Sequence, residues 1–352
     1  MRVFAALLAV AALQLGPAAP PATDFLLSQF GNYLDALRVQ AAIPGMAAVI
    51  VGDVDIRWER GFGFQDVEAG IPASPDTPFP LDGVTEILSS ALVLRCAEQG
   101  LISLDDLVGK YDESSPDAGE TIRNIMRHTS GPAGAEVYAY RPDRLVVLNR
   151  VVRACTNDSY RETLANTAAQ LGMDDSMPGL DAPSLVPPAE GIPDAAAVER
   201  YTQILGRLAV PYAIDFQGNR ARSQYAVTTL TPSGGFIASA RDLALFDLAM
   251  KNGLLVRPDT RALTWQVPVT STGQPLPYGL GWYVQSYHGE LVAWQFGMIE
   301  QAASSMVITV PGRGLTLILL ANSDGLVKPF ALRDGDVTAS LFARVFLGLF
   351  LP

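Results

Sequence analysis

The stretch from Thr77 to Gln99 constrains this chain more than any other. Val84, Ile87, Leu88, Ala91 and Leu92 recur at helical spacing, and Leu94 and Ala97 fill a second face. A helix apolar on most of its sides belongs inside a protein. Gly100 follows it where a helix commonly ends. The turn that opens it, Thr77-Pro-Phe-Pro-Leu-Asp-Gly-Val-Thr-Glu86, is therefore held near the centre by a rigid element. With 352 residues, 49% hydrophobic and 17% charged, the chain has enough material to surround such a helix with one or two domains.

Strand signals lie on both sides of this centre. Phe25 to Ala42 reads as an amphipathic helix. Met46–Val51 and Val54–Phe62 then read as a strand pair across Gly52-Asp53. The tail repeats the pattern at Tyr278–Tyr287, Leu291–Trp294, Ala303–Val310 and Leu315–Asn322, with Pro311-Gly-Arg-Gly314 and His288-Gly289 as hairpin turns. Ala339 to Leu351 reads as an apolar helix. Between these ends the signals are mostly helical: Thr121–His128, Asp143–Cys155, Tyr160–Leu171 and Ala240–Met250. Residues 174–194 are rich in Pro and Gly and read as a long surface loop. The expected fold is α/β (α+β), an antiparallel sheet built from N- and C-terminal parts and flanked by helices, with an inserted all-helical domain. The sheet region is 25–78 plus 255–352, and the helical region is 79–254.

Residues 1–22 read as an export signal: Met1-Arg2, an apolar run to Leu15, then Gly16-Pro17-Ala18-Ala19. The run is too short to span a bilayer. A periplasmic or secreted protein is expected, with 23–352 as the mature chain and no stable membrane span once the signal is removed. The formal net charge of -11 argues against nucleic acid as a partner. The two cysteines, Cys96 and Cys155, fall in helical patterns. Export permits a disulfide, but two small buried apolar residues is the favoured reading. No spacing suits a metal site, and no motif implies a cofactor.

Several stretches in this order resemble the penicillin-recognising serine hydrolases: class C β-lactamases, D,D-peptidases and related esterases. They are Thr77-Pro-Phe79, Glu98 to Asp106, Arg127-His-Thr-Ser-Gly131, Ala169-Gln-Leu-Gly-Met173, Pro232 to Asp242, Tyr278-Gly-Leu-Gly-Trp282 and Leu320-Ala-Asn322. The resemblance covers roughly residues 25–350. It implies an S-x-x-K at the start of the central helix, a Y-x-N motif and an H-x-G or K-T-G strand. It also implies an oxyanion hole made by the backbone N–H groups of the Ser and of the residue after the strand motif.

All three motifs are altered here. F-x-x-x-S-x-x-K falls on Phe79 to Glu86, which puts Gly83 at the nucleophile and Glu86 at the lysine. The chain has three lysines, Lys110, Lys251 and Lys328, and none stands three residues after a Ser. The Y-x-N site falls on Tyr140-Arg141-Pro142, keeping the Tyr and losing the Asn. The strand motif falls on Gln295-Phe296-Gly297, keeping the Gly and losing the basic residue. Gly83 offers nothing to acylate. Glu86 reads most simply as a helix-capping carboxylate, and otherwise, with Asp82 nearby, as an acid/base or cation-binding group. The backbone N–H groups of Gly83 and Met298 are candidates for a surviving anion-binding pair. The resemblance gives His128 a structural role.

The expected function is a β-lactamase-related pseudoenzyme that binds a cell-wall peptide, a small polar ligand or a partner. Gly83, Glu86, Tyr140, Gln295, Gly297 and Met298 are the candidate ligand-binding residues. The alternative is an esterase- or peptidase-like hydrolase in which Glu86 or Asp82 activates water. A decaying copy under no functional demand is a third reading. Oligomeric state is open.

Overall fold

The computed structural model describes residues 21–132, 134–184, 195–226, 229–270 and 272–351. The expected export signal lies outside them, apart from Pro21 and Ala22 where the first helix begins. Residues 185–194 of the expected loop also lie outside.

The chain opens with α1 (Pro21–Gln40), then β1 (Gly45–Val51), β2 (Ile56–Asp66) and β3 (Ile71–Pro72). β4 (Phe79–Pro80) leads into α2 (Thr85–Glu98), followed by α3 (Ile122–Met126), β5 (Thr129–Ser130) and β6 (Val137–Tyr138). Then come α4 (Leu148–Thr156), α5 (Tyr160–Gln170), α6 (Ala195–Gly206), β7 (Tyr212–Ile214) and β8 (Arg220–Arg222). β9 (Ile237–Ala238), α7 (Ala240–Lys251) and α8 (Pro258–Ala262) close the middle. The tail is β10 (Tyr283–Tyr287), β11 (Glu290–Ile299), β12 (Ala303–Val310), β13 (Leu315–Ala321) and α9 (Leu341–Phe350).

The main sheet has the order β10-β11-β12-β13-β1-β2-β3. Every adjacent pair is antiparallel. β1 joins the two halves, with Val49 opposite Ile318 on one side and Glu59 on the other. All of β1 is buried, because the sheet is covered on both faces. Ala47, Val49 and Val51 pack into one core with α2 and α7, while Met46, Ala48 and Ile50 pack into another with α1 and α9. A strand covered on both faces reads as a continuous apolar run, as Met46 to Val51 does. The intervening region is mainly helical and also carries three short pairs, β4–β9, β5–β6 and β7–β8.

α2 is the buried helix that its sequence implies, and its two serines are satisfied, although the buried Thr85 hydroxyl at its start has no partner. The Ser89 hydroxyl lies 2.6 Å from both the Tyr160 hydroxyl and the Pro232 carbonyl, and Ser90 donates to the Leu280 carbonyl at 2.7 Å. One expected strand is shorter than its composition suggests. Regular pairing starts at Tyr283 rather than Tyr278, because Gly281 adopts a left-handed φ of 81°. A Cβ there would stand 2.9 Å from the Glu86 carbonyl, so glycine lets this turn press against α2.

The cysteine expectation is corrected. Cys96 of α2 and Cys155 of α4 form a disulfide with Cα atoms 5.9 Å apart. Periodicity placed both inward, but could not show that the two helices pack with those faces together. The bridge closes a loop with a sequence separation of 59. Chain entropy for such a loop corresponds to about 4 kcal/mol, and measured bridges give roughly 2–4 kcal/mol. Reduction is expected to lower unfolding stability within that range, read from urea titrations with and without reductant. An unchanged midpoint would count against the bridge.

Candidate functional site

The site begins where β4 turns into α2. Leu81 N–H donates to the Phe236 carbonyl at 2.9 Å, and the Ser305 hydroxyl donates to the Leu81 carbonyl at 2.6 Å. The turn is thus held between β9 and the main sheet. Asp82 follows with φ at 46°, a left-handed conformation that Asp tolerates better than most residues. Residues Asp82–Val84 form one 3-10 turn before α2 starts at Thr85.

Gly83 does more than omit a hydroxyl. A Cβ at this position would stand 2.4 Å from the Phe296 carbonyl of β11. On the facing strand, a Cβ on Gly297 would stand 2.0 Å from the Leu81 carbonyl and 2.8 Å from the Gly83 nitrogen. The two glycines let backbone meet backbone. The space a nucleophile would occupy is filled.

Glu86 lies one turn further on, with no side-chain exposure. Four donors converge on it. Tyr140 donates to Oε1 at 2.9 Å. Tyr278, His128 Nε2 and Gln295 Nε2 approach Oε2 at 2.6, 3.0 and 3.3 Å. His128 Nδ1 accepts the Arg141 backbone N–H at 3.2 Å, which leaves Nε2 as the protonated nitrogen facing Glu86. A buried carboxylate is tolerable only when its lone pairs are satisfied in this way. Burial, and then the Glu86 charge, push the Tyr140 and Tyr278 hydroxyls far above the ordinary tyrosine range. Burial likewise pushes Tyr138 up to about 12, against the bond it shares with Tyr283. These tyrosines keep their protons and donate them, so none is a general base.

Two sequence expectations change here. Glu86 is not a helix cap, for Val84 precedes α2 without a side-chain cap and the carboxylate turns inward. Glu86, Gln295 and Gly297, expected at the ligand, are buried and do not line the cleft. His128 is buried and bonds Glu86, in keeping with the structural role expected of it. The structure brings Gly83, Glu86, Tyr140 and Gln295 together. His128 and Tyr278 are the partners that sequence reading missed. Both lay in stretches quoted for the resemblance. The signal was the carboxylate itself, since a buried Glu in place of Lys needs donors where the Lys needed acceptors.

The cleft, of about 430 Å³, is lined by Asp82, Gly83, Tyr140, Met298 and residues of the 229–235 loop, with Arg333 among its walls. Asp82 Oδ2 accepts the Met298 backbone N–H at 2.9 Å. The Met298 half of the expected anion-binding pair is therefore occupied by the chain's own carboxylate, and the Gly83 N–H also acts on that carboxyl. Burial pushes the Asp82 carboxyl above the usual range, opposed by those two N–H groups. Among the described residues no group of three or more His, Cys, Asp or Glu is placed to hold a metal ion.

This sheet, central helix and cleft define the architecture of penicillin-binding proteins and class C β-lactamases. Residues 30–340 match the beta-lactamase family, and the chain belongs to it. The octameric penicillin-binding protein homologue from Pyrococcus abyssi superposes with a TM-score of 0.70 at 17% identity, over 85% of this chain and 74% of that one. The class C beta lactamase from Rhodobacter sphaeroides superposes at 0.66 and 18% identity, over 91% of this chain and 97% of that one. Protein flp of Staphylococcus aureus is 28% identical over 95 residues, 25% of this chain and 19% of flp. The chain thus spans about a fifth of that relative's length.

Two predictions follow from the site's electrostatics. Glu86→Ala takes the acceptor from Tyr140, Tyr278 and His128, the last two fully buried, and should cost roughly 3–5 kcal/mol in urea unfolding. A loss below about 1 kcal/mol would mean that the donors find other partners. For Asp82, a raised folded pKa gives stability that is present at low pH and lost as pH rises through the folded value. Asp82→Asn should therefore gain more stability over the wild type at pH 7 than below the unfolded carboxyl value, about pH 4. An equal or opposite difference at the two pH values would refute this.

Proposed function

We propose that this is a non-catalytic member of its family that binds a ligand in the cleft without forming an acyl-enzyme. The observation that carries this reading is the Asp82 carboxylate on the Met298 N–H, beside a Gly83 with no room for a side chain. Acylation needs a nucleophile, a base to deprotonate it and free donors for the developing oxyanion. At the matching positions stand a hydrogen atom, a sealed carboxylate and a Met298 N–H already taken by Asp82. In another serine enzyme, loss of the nucleophile alone costs about 10⁶ in rate.

Decay is a poorer account of these changes. A site losing its function would leave a new buried carboxylate short of donors, whereas Glu86 has four. Hydrolysis through carboxylate-activated water is narrowed to Asp82, because Glu86 has no exposure. The raised Asp82 pKa suits a base, but its charge lies on the donors an oxyanion would need. The ligand is a cell-wall peptide or another small polar molecule. The protein is exported, a reading supported by the apolar leader of residues 1–22 and by the Cys96–Cys155 bridge, which persists in oxidising compartments.

Fluorescent penicillin should leave no covalent label after denaturation, and a labelled band would overturn the non-catalytic reading. Gly83→Ser combined with Glu86→Lys should recover no turnover of a chromogenic ester. The new Ser would meet the Phe296 carbonyl, and Asp82 would still hold Met298. Recovered turnover in the double variant would show that the centre was still poised.

A further inference from the structure

The cleft floor presents acceptors where the family resemblance implies donors. Asp82 Oδ2 is taken by Met298, while Oδ1 lies beside Gly234, where a Cβ would come within 3.3 Å of it. A bare glycine leaves that oxygen uncovered. The Tyr140 hydroxyl has given its proton to Glu86, so only its lone pairs remain for the cleft. Thr231 and Ser233 are further hydroxyl-bearing residues of the lining. Asp82 is in no ion pair among the described residues, although it is largely enclosed. Arg333 acts on the Asp82 charge without bonding it. A largely enclosed carboxylate with no directly bonded cation is costly, and a ligand that supplied one would relieve the cost. An anionic group would be repelled from the same place. Arg333 also lines the cleft, is exposed and makes no hydrogen bond or direct ion pair among the described residues. Its guanidinium matches a carboxylate in shape and charge.

We propose that the cleft recognises a small zwitterion, with its ammonium on Asp82 and Tyr140 and its carboxylate on Arg333. A free amino acid or a short peptide with both termini unblocked has this chemistry. The proposal rests on the non-catalytic reading of the same cleft and deepens it. The family's centre has been turned from stabilising a transient negative charge to holding a permanent positive one.

The test uses alanyl-alanine of both hands, together with its N-acetyl and C-amide derivatives, in amine-free buffer. Binding is read by calorimetry and thermal shift. An unblocked dipeptide of one hand should bind, and N-acetylation should weaken it at least about tenfold, the scale of one charge-assisted hydrogen bond. Asp82→Asn should erase the difference between free and acetylated peptide. Arg333→Gln should do the same for free and amidated peptide. Asparagine preserves an acceptor for Met298, and Arg333 is exposed, so both variants should fold. Equal binding of free and N-acetyl peptide overturns the proposal, as does no binding of any of the set at about 10 mM. Neither result touches the non-catalytic reading, which stands or falls on covalent labelling and turnover.

Discussion

Removing a carboxylate from water costs several kcal/mol unless every lone pair is met. The centre of this protein is arranged around that requirement at Glu86. Tyr140 comes from the segment after β6, His128 from the turn after α3, Tyr278 from the turn before β10 and Gln295 from β11. One side chain therefore ties the inserted region to both the central helix and the sheet. Ring packing reinforces the tie, with His128 4.5 Å from Tyr140 and 4.8 Å from Tyr278. A lysine at this position would need the opposite polarity from each neighbour. The change from cation to anion is thus a property of the cluster, not of one residue.

The same inversion extends to the cleft. Gly83 and Gly297 let the entry turn settle onto β11, and this brings the Asp82 carboxylate within reach of the Met298 N–H. The left-handed backbone at Asp82 is the local cost of that reach. Behind the wall sits a satisfied anion, and on the wall sits one that no cation among the described residues bonds directly. The first is structural. The second leaves chemistry unmet, and it faces solvent-filled space.

Much of this was legible in the residues. β1, β12 and β13 are apolar runs whose boundaries follow from turn chemistry, and α2 announces itself by being apolar all round. The altered motifs located Gly83, Glu86, Tyr140 and Gln295 without coordinates. What sequence could not supply was depth and direction. Glu86 at the first turn of a helix fits a cap or a buried anchor equally well, and only the packing of Tyr278 and His128 decides between them. Cys96 and Cys155 each look like a core residue, because pairing depends on how α2 meets α4. Tyr278 to Trp282 has strand composition, yet Gly281 bends it towards α2.

The position of β1 also bears on how the molecule comes into being. Its two neighbours in the sheet lie at opposite ends of the polypeptide: β2 arrives within a few residues, β13 only after most of the chain has been made. Until then one margin of a wholly apolar strand has no backbone to bond. Gly45 must likewise wait for Asn322, whose side chain accepts its N–H at 2.7 Å. Such distant closure slows folding and prolongs the exposure of sticky intermediates. During synthesis that margin therefore stays open until the last strand emerges to close it.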